Sequence, residues 1–229
     1  MSDIWLGCEP TPESPYYPYR KVTDDETLAG AEKLPYVLTK YLMDLSLPGY
    51  TPPSDNRYPR ARLKKLLYWD TPDALERPLP TDKQMLSVFF DSKDPGTPPD
   101  PARGYRIYPQ ELTYQAQTDS QSILRVYMGE NMKLPSKGGF VLRQTVIYTV
   151  ICGYAIESNL YGPVKSRGYA LAQAIIEATA GINFGGVGGM EMKRLTKFDD
   201  ERSNTGYKIY QQIDWAGGAP NPLYMTKGE

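Results

Sequence analysis

Leu34, Val37, Leu38, Tyr41, Leu42 and Leu45 recur at three- and four-residue steps, the spacing that gathers side chains on one face of a helix. The stretch opens with Asp24, Asp25 and Glu26, where negative charge favours a helix N-terminus, and Pro48 and Gly49 end it. A shorter helix is predicted from about Pro59 to Trp69, with Leu63, Leu66 and Leu67 apolar and Arg60, Arg62, Lys64 and Lys65 polar. From Arg167 to Ala180 a third stripe, Leu171, Ile175 and Ala178, marks another helix, and Gly181 supplies its stop.

The remaining apolar residues follow the two-residue period of strands. Ile107 to Gln115 and Ile123 to Tyr127 read as strands, and Val141 to Ile156 is dense in β-branched and aromatic residues. Val146, Tyr148, Val150, Cys152, Tyr154 and Ile156 fall on one face, and Thr145, Ile147, Thr149, Ile151 and Ala155 on the other. Apolar residues on both faces predict a central strand, at least partly covered on each side. After a glycine-rich turn, Gly185 to Gly189, the segments Met190–Phe198 and Gly206–Trp215 alternate as a pair of strands. Asp199 to Thr205 is the hydrophilic hairpin tip between them.

Prolines interrupt these patterns unevenly. Of 21 in the chain, most precede Gly139, and proline removes a backbone donor and fixes φ. Residues 1–25 set Pro10, Pro12, Pro15 and Pro18 among Tyr16, Tyr17 and Tyr19, which predicts an extended arm, either a loose tail or a segment lying in a groove. Between Thr71 and Tyr105 prolines leave few periodic apolar positions outside Met85 to Phe90, so this stretch reads as an ordered insertion or lid, part of a proline-rich insertion over 48–105. The expected organisation is the arm, one domain over 26–215 carrying that insertion, and a tail over 216–229. Segregated strands with helices packed across them give an α+β fold, an antiparallel or mixed sheet flanked by helices.

Composition then narrows the chemistry. With 26 Lys and Arg against 27 Asp and Glu, the net charge of -1 provides no global pull towards nucleic acid or an anionic membrane. The apolar run around Val146 to Ile156 is far below the ~20 residues of a membrane span. The opening residues MSDIWLGCEPTPE lack the basic and apolar regions of a signal peptide, so synthesis in the cytoplasm without export is expected. Cys8 and Cys152 read as a thiol of the arm and a small buried strand residue, too few and too far apart for a disulfide framework or a metal site.

There is no histidine, which excludes Ser-His-Asp and Cys-His machinery and most transition-metal sites. Asp199, Asp200 and Glu201 are read as a solvated turn rather than paired catalytic carboxylates. The GGVGG run follows a helix and opens a strand, the reverse of a dinucleotide fingerprint. No enzyme activity, cofactor or metal is therefore expected. Arg57, Arg60, Arg62, Lys64 and Lys65, with Tyr58 and Tyr68, form one basic cluster that can meet phosphate and stack on bases, or be the wet face of a short helix. The 19 tyrosines point to protein interfaces, since tyrosine joins apolar area to a polar tip.

The order of elements resembles the tail terminator proteins of long-tailed bacteriophages. It rests on the helix EKLPYVLTKYLMDL, the strand RQTVIYTVICGYA, the helix RGYALAQAIIEATAG and the hairpin MEMKRLTKFDDERSNTGYKIYQQIDW, within 26–47 and 141–215. The arm and the 48–105 insertion depart from that family's compact pattern. The resemblance implies a virion protein of the tail and neck: a homohexameric ring that ends the tail tube and meets the tail-tube protein and a neck or head-completion protein. Interface roles are expected at Tyr16, Tyr17 and Tyr19 and at Asp199, Asp200, Glu201 and Arg202. A head-completion, neck or tube subunit is the rival within virions, and a nucleic-acid-binding module built on Arg57 to Lys65 is the rival outside them.

Overall fold

A computed structural model describes residues 4–5, 21–22, 34–43, 56–90, 98–111, 120–136, 139–182, 187–200 and 204–217. Its main feature is a five-stranded sheet in the order β3 (Ile107–Tyr108), β4 (Ser122–Ser136), β5 (Gly139–Gly153), β7 (Asn204–Gly217), β6 (Val187–Asp200). β3 runs parallel to β4, and every other pairing is antiparallel. Strands β1 (Ile4–Trp5) and β2 (Lys21–Val22) form a separate antiparallel pair. The fold is α+β with a mixed sheet, as the sequence predicts.

β5 is central because its two neighbours satisfy its backbone along nearly its whole length, from Phe140 opposite Gly217 to Gly153 opposite Asn204. Val146, Tyr148, Val150 and Cys152 are fully buried on one face, while Thr149 and Ile151 are nearly so on the other. The main core lies on the first face, where α1 (Leu34–Met43), α2 (Pro59–Tyr68) and α5 (Arg167–Thr179) pack with Leu124, Val126, Ile209 and Ile213. On the back face a smaller cluster joins Tyr108, Ile123 and Ile151 to Phe90, Tyr105 and Phe198.

Several boundaries move from their predicted places. The strand predicted to Ile156 stops at Gly153, and Tyr154, Ala155 and Ile156 belong to a helical turn, α4 (Tyr154–Glu157). The pairings with β4 and β7 run out at Cys152 and Gly153, so further extension would leave backbone groups unpaired. Of the strand predicted from Ile107 to Gln115, Ile107 and Tyr108 form β3 and Pro109, which cannot donate to a ladder, follows it, while 112–119 lie outside the described residues. β4 instead outruns its predicted end at Tyr127 as far as Ser136, following its full-length partner β5. The last hairpin is longer too: Val187 to Gly189 already belong to β6, and Asp199 and Asp200 end that strand, paired with Thr205 and Asn204.

The proline-rich stretch is not a lid over a finished core. Leu63, Leu66 and Leu67 of α2 are completely buried, and Met85, Val88 and Phe89, on and just after α3 (Asp82–Val88), join the same cluster. Its polar signals are local. Thr81 caps α3 in a reciprocal capping box with Gln84, and Pro59 occupies the first turn of α2, where a missing N–H costs nothing. The acidic residues 24–26, Leu45, Pro48 and Gly49 lie outside the described residues.

α5 is tied down at both ends. Ser166 accepts from the Tyr169 amide as its N-cap, and Gly181 follows the helix with φ +75°, a left-handed conformation that side chains disfavour. Near the C-terminus the Tyr41 hydroxyl donates to Ala178 O at 3.0 Å, and Gln211 Nε2 donates to Thr179 Oγ1 at 2.7 Å. Helix α1, helix α5 and strand β7 are thereby pinned together.

Candidate assembly surface

The C-terminus of α2 is closed by a network of arginine hydrogen bonds. A helix leaves its last four carbonyls without intrahelical donors and carries partial negative charge there. Here each is met. Lys65 O accepts from the Trp69 amide at 2.9 Å, Leu66 O from Arg167 Nη1 at 3.1 Å, Leu67 O from Arg106 Nη1 at 3.1 Å, and Tyr68 O from Arg103 Nε at 3.3 Å. Arg106 also clasps Asp70 through two bonds, 2.8 and 2.6 Å, and Arg103 lies 4.4 Å over the Tyr68 ring. Arg167 reaches further, to Trp69 O at 2.7 Å and Thr71 O at 2.8 Å. Burial pulls its guanidinium below the usual value, and the Asp70 carboxylate opposes that pull.

This knot holds the loop between α4 and α5. Asn159 donates to Asp70 O at 3.2 Å and accepts from Arg167 at 3.3 Å, while the Tyr161 amide donates to Pro72 O at 2.9 Å. Glu157 accepts from Ser166 Oγ and from the Gly168 amide, so α4 clasps the start of α5. Beneath it Cys152 is buried at 3.7 Å from Ser122 Oγ, and burial pushes the thiol far above its usual range.

On this rigid support sit Tyr154, Tyr161, Val164 and Tyr169, four of the seven large apolar side chains exposed among the described residues, all within sixteen residues of chain. Tyr161 is 60% exposed. Tyr169 meets the half-buried Tyr207 edge-on, with ring centroids 5.9 Å apart. Gly153 pairs with Asn204, which pairs with Asp200, so the acidic end of the β6–β7 hairpin lies at the same end of the sheet as α4. A bond from the Thr205 side chain holds the Asp199 carboxyl below its ordinary value, with Lys197 nearby.

The residues singled out from the sequence fare unequally. Tyr16, Tyr17, Tyr19, Glu201 and Arg202 lie outside the described residues, while Asp199 is exposed near the end of β6, opposite Thr205. The basic cluster does not form a wet helix face. Arg60, Lys64 and Lys65 are buried, Arg62 bonds to Glu177 of α5 at 2.6 Å, and Arg57 and Tyr58 are exposed ahead of the helix. Arg60 donates to Tyr41 O of α1 at 3.4 Å and lies over the Tyr41 ring, while Lys65 Nζ is satisfied by Asn56 Oδ1 and Leu75 O, both at 3.0 Å. Among the described residues no group of three or more Cys, Asp or Glu is placed to hold a metal, and no helix is long and apolar enough to cross a membrane. Sequence reasoning missed the tyrosine loop because Tyr154 was counted into a strand. Its available signal was SNLYGPVK, an aromatic residue set in glycine–proline turn chemistry between two apolar segments.

A family model described as YomW matches residues 61–213, two thirds of the chain. Among curated proteins no sequence matches. A chain of a solved structure described as "Virion of native gene transfer agent (GTA) particle" aligns at 15% identity over 47% of this chain and 76% of that one, with a TM-score of 0.33. At that score the likeness carries no weight for fold or role.

Proposed function

The chain belongs to the YomW family, and from that premise and the surfaces just described we propose that it is a phage virion structural protein, the subunit of a ring that ends the tail tube and joins it to the neck. Its partners in this reading are further copies of itself, six to a ring, together with a tail-tube protein and a neck or head-completion protein. The assigned role is assembly and not catalysis.

The observation that supports it best is the tyrosine-bearing loop, held rigid by the Arg106 and Arg167 network and wet in the isolated subunit. Exposed tyrosines on a fixed scaffold bury large area at small entropic cost when a partner arrives. A nucleic-acid role resting on Arg57 to Lys65 is disfavoured by the burial of Arg60, Lys64 and Lys65.

Native mass spectrometry of the full chain is expected to show one discrete ring, six-fold, and the purified ring is expected to cap tail tubes in electron micrographs. A strictly monomeric species at micromolar concentration that leaves tubes uncapped overturns the reading. Substituting Tyr161→Ser is expected to weaken ring formation while leaving the urea midpoint of the monomer unchanged.

A further inference from the structure

The two margins of the main sheet are open in complementary places. On the β4 side, β3 covers only Leu124 and Arg125, and beyond Val126 the outer edge of β4 has no strand partner among the described residues. On the β6 side, Met190 is engaged by Gly181 and Ile182, through bonds of 3.0 and 2.8 Å, and from Glu191 to Asp200 the outer edge has no strand partner among the described residues. Glu191, Met192, Lys193, Arg194, Lys197 and Asp199 are exposed along it. An edge of this length is a template for another strand.

The covered parts lie at opposite ends of the sheet. β3 blocks β4 at the end where β5 finishes, near the pair Ser122 and Cys152, whereas the Gly181–Ile182 segment blocks β6 towards the other end. Each margin therefore has a stop and an open run, and the two open runs are diagonal to one another. Successive antiparallel pairings also make β4 and β6 run in opposite directions.

We propose that the Arg194–Asp200 edge of β6 in one copy pairs, antiparallel and slid along the strand, with the outer edge of β4 beyond Val126 in a second copy of this chain. The occupant is a second copy because one molecule carries both halves of the junction, with opposite strand directions and with stops that forbid the unslid alignment. Such a contact uses different patches on the two partners, so it propagates head to tail and closes when its rotation allows. The slide tilts every strand relative to the axis of the closed ring, as closure of a continuous sheet requires. Arg194 and Lys197, on opposite faces of β6, then lie along the stretch of the neighbour's β4 that carries the exposed Glu130. This inference rests on the ring reading for its stoichiometry but not for its chemistry.

Cysteine trapping tests it in the full chain with Cys8→Ser as background. Lys197→Cys is combined in turn with Met128→Cys, Glu130→Cys and Met132→Cys, and each protein is oxidised and run on a denaturing gel. At least one combination is expected to give a covalent ladder extending past the dimer, while each single variant stays monomeric. A dimer from Lys197→Cys alone would mean two-fold pairing of β6 edges and overturns the proposal, as does the absence of a ladder from all three combinations. In the unsubstituted protein, amide exchange across Arg194–Asp200 is expected to slow at least about tenfold on assembly, and unchanged exchange there also counts against it. A ladder from protein that fails to cap tails refutes the terminator reading and leaves the strand junction standing. Capping without a ladder does the reverse.

Discussion

Two arginines that look interchangeable in the sequence, Arg106 and Arg62, differ sharply in consequence. Arg106 is buried, with a side chain 2% exposed, and supplies both the Asp70 clasp and the bond to Leu67 O. Arg106→Ala leaves a carboxylate and a helix-end carbonyl without their donor, a loss of about 3 kcal/mol in urea unfolding. Arg62→Ala removes a partly exposed pair with Glu177 and is expected to cost about 0.5 kcal/mol, measured the same way. Cys152 offers a different readout. Its thiol is buried and raised by burial, so in a Cys8→Ser protein an aromatic disulfide reagent is expected to react only as fast as the chain unfolds. Rapid labelling of the folded protein would show that the core opens there. The burial of Cys152 was legible in its strand pattern, whereas the roles of the arginines were not. Arginine is read as a surface residue by default, and only the long-range geometry of α2, α5 and the chain around Arg106 turns it into a cap.

At the scale of elements, the sequence was most legible where one period persisted. α1, α2 and α5 stand where three- and four-residue spacing put them, and β5 lies in the middle of its sheet as its two apolar faces require. The errors fell at ends, where pairing partners and not propensity decide. β4 grows past Tyr127 because β5 is there to receive it, and β5 stops at Gly153 because its neighbours run out. The β5–β7 contact also carries a charge pair: Arg143 grips Asp214 with two bonds of 2.8 Å, and this holds the Asp214 carboxyl below its ordinary value. A depressed folded-state pKa contributes stability above the unfolded value, ~3.9, and loses it as pH falls through the folded one. The difference in urea midpoint between the native chain and Asp214→Asn is therefore expected to be present at pH ~6 and to shrink below about pH 4. A difference that is the same at both would remove this pair from the acid response.

For the whole molecule, the class of fold was readable and the division of labour was not. The segment 48–105 read as an insertion or lid because prolines broke its periodicity, yet α2 within it supplies Leu63, Leu66 and Leu67 to the core, and the family match also takes in residues from 61 onwards. The tyrosine count pointed to aromatic surface, and among the described residues Tyr154, Tyr161 and Tyr169 supply it, since exposure depends on where a loop is anchored, while Tyr16, Tyr17 and Tyr19 lie outside those residues. One of the carbonyls that finish α2, Leu66 O, waits for a guanidinium made 101 residues later, so on a translating ribosome that helix end stays incomplete until Arg167 has emerged. Pulse labelling during refolding is expected to show the amides of α2 and α5 becoming protected in one shared phase. A subunit built this way stays unfinished, and unready to recruit neighbours, until most of its chain has been synthesised.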